Sequence, residues 1–347
     1  MKNFIFKTKP YAHQLKAFEI SAEAENFALL MDMGTGKTKV CIDSIAHNFE
    51  EKRIVFSLIV APKGVIANWI SEIGAHLSDH IERQVVLWKP SLTKAKRKEL
   101  LDLSEPSPKL KILLMNIEAF STKKGVDVAA FFVKKFSTFI VVDESTTIKN
   151  RQAKRTKALC SIGESAQFRR ILTGSPVTKS PLDLYSQMNF LDPRILGFKS
   201  FYAFQGRYAV VQRRTMGSHS FNHIVGFQRL DELTEKLKTC SYRIRKEDCL
   251  DLPDKVYTSR QVELTKEQEK AYIQMRHLAL ARLEKGEMAT TKNVLTQIMR
   301  LQQICLGHLT DDEGLVHEIQ SNRLPELLNI CEEIQGKAII WATWTQD

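Results

Sequence analysis

The first half of the chain alternates between short apolar runs and stretches whose apolar residues recur at helical spacing. Such alternation is typical of a parallel sheet with helices packed on both faces. We therefore predict an α/β fold whose functional residues lie in loops at the carboxyl ends of the strands. The predicted strands cover residues 27–31, 54–61, 84–88, 111–115, 139–142 and 169–172.

The pattern changes along the chain and predicts a division into parts. Residues 1–193 hold the alternating elements and form a first lobe, whereas residues 194–260 are rich in aromatic and basic side chains. Residues 261–335 are mainly helical, above all over 265–306, and residues 336–347 begin with a glycine turn that enters a new strand. A single strand cannot form a sheet, so we expect the sequence to be a fragment or a truncated form of a longer protein.

Composition limits the class of protein. With 347 residues, of which 43% are hydrophobic, the chain is long enough for two lobes. Its net charge of +11 suits a polyanionic partner. From charge alone, a protein that binds nucleic acid and one that does not are equally expected. The six cysteines form no C-x-x-C pair, and no apolar run reaches the length of a membrane span. We expect a cytoplasmic protein with free thiols and no membrane contact.

A glycine-rich loop with a lysine directly follows the first predicted strand. Its residues are Gly34, Thr35, Gly36, Lys37 and Thr38. The glycines allow backbone N–H groups to turn toward a phosphate, and the helix that follows favours an anion at its N-terminus. Lys37 is expected to bind the β- and γ-phosphates of a nucleoside triphosphate, and the Thr38 hydroxyl to bind Mg²⁺. Met31 stands where the general pattern has its first glycine, so a second signal is needed.

Two carboxylates provide that signal. Asp143 and Glu144 directly follow the predicted strand 139–142. A carboxylate at the end of a neighbouring strand can hold Mg²⁺, and a second one can orient or deprotonate the attacking water. A lone Asp-Glu pair is more often a solvated strand end. Because a phosphate loop precedes this pair, we predict that Asp143 binds the metal and that Glu144 acts on the water.

In this order the motifs resemble those of the Swi/Snf-type DNA-dependent ATPases of helicase superfamily 2, which also lack the first loop glycine. The resemblance includes residues 10–14, 33–38, 59–69, 115–118, 143–150, 172–193, 242–253 and 298–308. It implies bound ATP and Mg²⁺, and a RecA-like lobe followed by a mainly helical insertion and the start of a second lobe. The family's second lobe supplies arginine fingers, so this chain alone is expected to bind ATP and hydrolyse it weakly.

The resemblance also implies roles for individual residues. Gln14 is expected to read adenine. Pro62 and Lys63 are expected to contact one DNA strand, and Asn116 to touch the DNA backbone just beyond it. Thr173 and Ser175 are expected to couple hydrolysis to motion. 

Other positions are ambiguous from the sequence. The usual Asp-Glu-Ala-His box is altered at Ser145 and Thr146. Lys149 and Arg151 begin a basic run. These side chains are equally expected to bind the phosphate backbone of DNA or to lie on a solvated helix face. The aromatic residues of 198–208 are expected to be core more often than base-stacking. Trp69 and Trp88 are also interpreted as packing residues. Arg213 and Arg214 are expected to contact DNA only weakly.

We therefore predict an ATP-dependent translocase or remodelling motor, of bacterial or bacteriophage origin, that acts on double-stranded DNA without sequence preference. One alternative is a nucleotide-gated module that binds DNA or protein without turnover. The other is a strand-separating DNA helicase, although the Ile-Lys-Asn segment at 148–150 favours translocation by resemblance.

Overall fold

The computed structural model describes residues 4–91, 93–216, 219–249, 251, 253–284, 291–311 and 313–346. The chain divides into two compact units, residues 1–253 and 254–347. All six cysteines lie within the described ranges and are free. Across those ranges, no helix is both long enough and apolar enough to cross a membrane.

A parallel sheet forms the centre of the first unit. The described strands of this unit are β1 (Asn26–Met31), β2 (Phe56–Ala61), β3 (Arg83–Leu87), β4 (Leu110–Asn116), β5 (Thr138–Asp143), β6 (Phe168–Leu172), β7 (Ala209–Met216), β8 (His219–Phe227) and β9 (Ser241–Ile244). In the described part of the chain the main sheet has seven strands in the order β3-β4-β2-β5-β6-β1-β9, with every neighbouring pair parallel. All residues of β2 and β5 are buried, as central strands covered on both faces must be.

Helices cover both faces of this sheet. They are α1 (Ala12–Ser21), α2 (Lys37–Glu50), α3 (Ile66–His76), α4 (Lys94–Ser104), α5 (Lys123–Lys135), α6 (Lys154–Gly163), α7 (Leu184–Leu191), α8 (Phe201–Tyr208) and α9 (Leu230–Lys238). Successive residues of a strand point to opposite faces, so Leu29 and Leu30 of β1 belong to different apolar clusters. The α/β fold is confirmed, and so are the six strands predicted from apolar runs.

Strand β9 was not predicted, and it changes the boundary of the first unit. It pairs in parallel with β1, with Ala28 opposite Ser241 and Met31 opposite Ile244. We predicted that the first lobe ends at residue 193, whereas the compact unit extends to residue 253. The reason is that the edge of β1 offers unpaired backbone groups that a distant segment satisfies.

The segment with aromatic and basic residues is partly core and partly hairpin. Phe204 and Tyr208 are fully buried, with their rings 4.9 Å apart, so the packing interpretation is confirmed for them. Strands β7 and β8 form an antiparallel hairpin that carries the exposed Arg213 and Arg214. Residues 217–218, which join these two strands in the chain, lie outside the described residues.

The second unit contains the predicted helical segment. Its described elements are α10 (Lys266–Glu284), α11 (Thr291–Leu306), β10 (His308–Thr310), β11 (Val316–Glu318) and α12 (Arg323–Glu333). The predicted strand after Gly336 is not formed in the described residues 337–346, and Trp341 is 89% exposed. An apolar run becomes a strand only where another strand pairs with it, so the assignment of this segment to the first strand of a second lobe stays a prediction.

Candidate active site

The loop between β1 and α2 has the backbone conformation that its glycines allow. Gly34 and Gly36 have φ angles of 84° and 83°, in the left-handed region, and Lys37 begins α2 directly afterwards. A Cβ added at Gly36 would clash with the side-chain amide of Gln14. The loop therefore leads directly into a helix N-terminus, an arrangement that favours an anion, and phosphate binding by this loop stays a prediction.

Helix α1 holds this loop through one carbonyl. His13 Nε2 donates to the Thr35 oxygen at 2.8 Å, and Gln14 Nε2 donates to the same oxygen at 3.1 Å. Gln14 Oε1 accepts from the Tyr11 N–H at 3.0 Å. Gln14 is thus buried against the loop, and its expected contact with adenine stays a prediction.

The end of β5 brings the two carboxylates to the loop lysine. Glu144 Oε1 lies 3.9 Å from Lys37 Nζ, and Asp143 is 3% exposed. Burial raises the pKa of Glu144, the Lys37 ammonium opposes this, and the Asp143 charge adds to it. Glu144 also has a left-handed backbone with φ of 47°, a strained conformation that often occurs at functional sites.

Asp143 is oriented by two donors. Its Oδ2 accepts from Trp69 Nε1 at 2.8 Å, and its Oδ1 accepts from the Glu144 N–H at 2.9 Å. Burial raises the pKa of Asp143, whereas the Trp69 hydrogen bond and the Lys37 charge lower it. Trp69 was interpreted as a packing residue, so its hydrogen bond to the carboxylate was missed. The signal available in the sequence was its place in the 59–69 segment.

The residues present fit a Mg²⁺ ion shared with phosphates. In the described ranges, no three His, Cys, Asp or Glu side chains cluster as a metal site. Mg²⁺ in nucleotide sites is commonly held by one or two protein oxygens together with substrate phosphates. Asp143, beside the loop lysine, and Thr38, on the first turn of α2, are oxygen donors of that kind. Their metal role stays a prediction.

A buried glutamine links the carboxylate loop to the loop after β6. Ser145 Oγ donates to Gln187 Oε1 at 2.6 Å. Gln187 Nε2 donates to the carbonyls of Pro176 and Asp183 at 2.7 and 2.9 Å. Thr173 Oγ1, in the same loop after β6, accepts from the Ser175 N–H at 3.2 Å. Ser145, which departs from the usual box, thus bonds to the residue that supports the Thr173–Pro176 loop. No pattern in the sequence had pointed to Gln187 itself.

A cavity of about 420 Å³ lies where these loops meet. Its lining comes from the loops after β1, β5, β6 and β9 and consists of Asp32, Met33, Glu144, Thr146, Thr173, Gly174, Ser175, Thr178 and Lys246. The predicted coupling residues Thr173 and Ser175 therefore lie at the same cavity as the predicted base Glu144.

The predicted DNA contacts follow neighbouring strands of the sheet. Asn116 is opposite Ala61, next to Pro62 and Lys63, and Asn116 Nδ2 donates to Glu118 at 2.9 Å. The structure therefore brings these predicted contacts together after β2 and β4, and Lys63 is exposed.

The basic run after β5 is held by contacts within the first unit. Lys149 Nζ donates to the Thr178 hydroxyl. The Arg151 guanidinium lies 4.5 Å from the Phe201 ring centre and 5.1 Å from that of Tyr202. Binding of DNA by Lys149 or Arg151 stays a prediction, as it does for Arg213 and Arg214 on β7.

Comparison with known proteins shows the family. The SNF2-related domain matches residues 13–308. The chain belongs to the SNF2-related family. This confirms the resemblance described from the sequence motifs.

The SNF2-related chain is similar to much longer proteins. An uncharacterized ATP-dependent helicase of Mycoplasma genitalium is 28% identical over 304 residues, which cover 87% of this chain and 26% of that protein. The chromatin structure-remodeling complex subunit snf21 of Schizosaccharomyces pombe is 26% identical over 294 residues, covering 81% and 23%. The chain thus spans about a quarter of the length of these curated relatives.

The fold of the SNF2-related chain has a solved counterpart. The Sulfolobus solfataricus SWI2/SNF2 ATPase core in complex with dsDNA matches with a TM-score of 0.55 at 23% identity, covering 96% of this chain and 66% of that one. At this identity the match shows the fold, and it confirms the RecA-like sheet.

Proposed function

We propose that this SNF2-related chain is the ATP-binding part of a DNA-dependent motor ATPase that translocates along, or remodels complexes on, double-stranded DNA. The observation that carries the proposal is the 3.9 Å approach of Lys37 to Glu144, beside a loop with two left-handed glycines. A cation for phosphate and a carboxylate for water, at the carboxyl ends of parallel strands, are the groups that nucleotide hydrolysis needs.

The protein groups act by positioning charge. The loop N–H groups and the Lys37 ammonium bind the phosphates, and this cation is already oriented because Glu144 faces it. Asp143 and Thr38 would hold Mg²⁺, which when bound neutralises phosphate charge. Trp69 keeps Asp143 in one orientation through its hydrogen bond.

Glu144 orients the attacking water and takes up its proton. This role requires the ionised carboxylate, which burial disfavours and the Lys37 charge favours. Thr173 and Ser175 line the same cavity and would sense the terminal phosphate. Gln187 would transmit their movement, since it bonds both to Ser145 and to the carbonyl of Pro176.

DNA is the proposed partner. The net charge of +11 favours a polyanion, and the Sulfolobus solfataricus core with the same fold was solved with dsDNA. We propose that Pro62, Lys63 and Asn116 contact one strand through its backbone, with Lys149 and Arg151 beside them. Contacts to phosphates read no sequence, so the affinity for DNA should fall steeply with salt and vary little with sequence.

The first test is nucleotide binding by titration calorimetry. Lys37→Ala should abolish ATP binding, whereas Lys98→Ala, which removes an exposed lysine of α4, should leave it unchanged. Equal ATP affinity of Lys37→Ala and the unaltered chain would overturn the proposal.

The second test is the ATPase rate with and without double-stranded DNA, for this chain and for an extended form with a second RecA-like lobe. Strong DNA stimulation of the extended form supports the motor. ATP binding with no response to DNA in either form would instead support a nucleotide-gated binding module. ATP-dependent separation of a forked duplex would support a helicase.

A further inference from the structure

We infer that Lys246 is a second phosphate-binding cation, which contacts the terminal phosphate of ATP in addition to Lys37. This inference rests on the proposed nucleotide site and deepens it. Lys246 lies far from Lys37 in the chain, and none of the roles predicted from the sequence falls on it.

The backbone of Lys246 is fixed to the phosphate loop. Strand β9 pairs with β1 as far as Ile244 opposite Met31, and the Asp32 N–H then donates to the Ile244 oxygen at 3.1 Å. The Lys246 N–H donates to Asp32 Oδ2 at 3.2 Å. Asp32 is two residues before Gly34, so this carboxylate ties the end of β9 to the start of the loop.

The Lys246 side chain lies over the loop glycine. Its Cε and Nζ are 3.2 and 3.4 Å from the position that a Cβ would take at Gly34. Within the described residues, its ammonium forms no ion pair or hydrogen bond, so its donors are available to an anion. The Lys246 side chain therefore lies beside Gly34 of the predicted phosphate loop.

The location selects the terminal phosphate. Lys246 lines the same 420 Å³ cavity as Glu144, Thr173 and Ser175. Glu144 is the proposed base for the attacking water, so the phosphorus that is attacked must lie at this cavity. An ammonium there contacts an oxygen that ATP has and ADP lacks. Lys246 would thus discriminate between the two nucleotides, whereas Lys37 binds both.

The test is calorimetric titration of the 347-residue chain with a non-hydrolysable ATP analogue and with ADP, each with Mg²⁺. Lys246→Met should weaken binding of the analogue about tenfold, since one charge-assisted contact is lost at a solvent-accessible site. Binding of ADP should change less than about twofold, and Lys246→Arg should restore most of the affinity for the analogue.

The matched control is Arg245→Met. It removes a cation from the adjacent position, and Arg245 pairs with Glu247 at 2.8 Å and is absent from the cavity lining. This variant should bind both nucleotides normally. Equal loss of analogue and ADP in Lys246→Met, or no loss of either, would overturn the inference. If the unaltered chain binds neither nucleotide, the proposed function itself fails, which is a separate result.

Discussion

The hydrogen bond between Trp69 and Asp143 makes a sharp prediction about the carboxylate that we propose to bind Mg²⁺. Trp69→Phe keeps an aromatic ring in the fully buried position and removes the N–H that donates to Asp143 Oδ2 at 2.8 Å. Asp143 is 3% exposed, so water cannot readily replace the lost donor. The variant leaves a buried carboxylate with one donor fewer.

The size of the effect follows from the type of bond. A hydrogen bond to a charged group contributes about 1.5–3 kcal/mol, and an acceptor left unpaired in the interior costs a similar amount. The smaller phenylalanine ring also leaves a cavity, and the stability lost through this cavity must be separated from the stability lost with the hydrogen bond. Trp88 offers that separation, because it is also buried and its Nε1 has no hydrogen-bond partner within the described structure. Trp88→Phe therefore removes the same atoms without removing a bond.

The assay is urea unfolding of the two variants and the unaltered chain, followed by far-UV circular dichroism because each variant loses a fluorophore. Trp69→Phe should lower the free energy of unfolding by about 1.5–3 kcal/mol more than Trp88→Phe does. It should also weaken the Mg²⁺-dependent part of ATP binding, increasingly so as the pH falls, because removing a donor raises the pKa of Asp143 further.

Two results would refute this reasoning. If both variants lose the same stability, the indole N–H contributes nothing to the fold. If Trp69→Phe binds Mg²⁺ with ATP as the unaltered chain does, Asp143 needs no orientation by Trp69.

Three further predictions concern the polar side chains of Glu144, Ser145 and Arg170. Burial raises the pKa of Glu144, so the ionised carboxylate lowers the stability of the fold above about pH 4.3, the ordinary pKa of glutamate, and this cost is absent at lower pH. Glu144→Gln should therefore raise the melting temperature at pH 8 but not at pH 4. Equal shifts of the melting temperature at both pH values would contradict a raised pKa of Glu144. Ser145→Ala should cost about 1–3 kcal/mol in urea unfolding because it leaves the buried oxygen of Gln187 without its donor, and an unchanged midpoint would argue against that link. Arg170→Met should cost at least about 2 kcal/mol, since the buried guanidinium donates to the carbonyl of Ser21 at the end of α1 and to that of Ala24 just after it, and a loss below about 1 kcal/mol would show that other donors replace it.

Local patterns in the sequence were sufficient for several parts of this protein. The six strands from apolar runs follow from residues that need burial on both faces of a sheet, and this need is visible within four to eight residues. The phosphate loop was predictable for a similar reason, because left-handed backbone at Gly34 and Gly36 is a property of glycine itself. Asp143 and Glu144 were placed near Lys37 because the ends of parallel strands share one edge.

The tertiary structure decided which distant groups meet at that edge. Trp69 is 74 residues from the carboxylate it orients, and Gln187 is 42 residues from Ser145. Lys246 lies at Gly34 only because β9 joins the sheet beside β1, and its short sequence does not by itself predict a strand. The apolar run after Gly336 shows the converse, since without a partner strand it forms no strand in the described residues. Periodicity within the chain reports which side chains need burial, whereas pairing between segments depends on backbone edges and packing that only the folded chain provides.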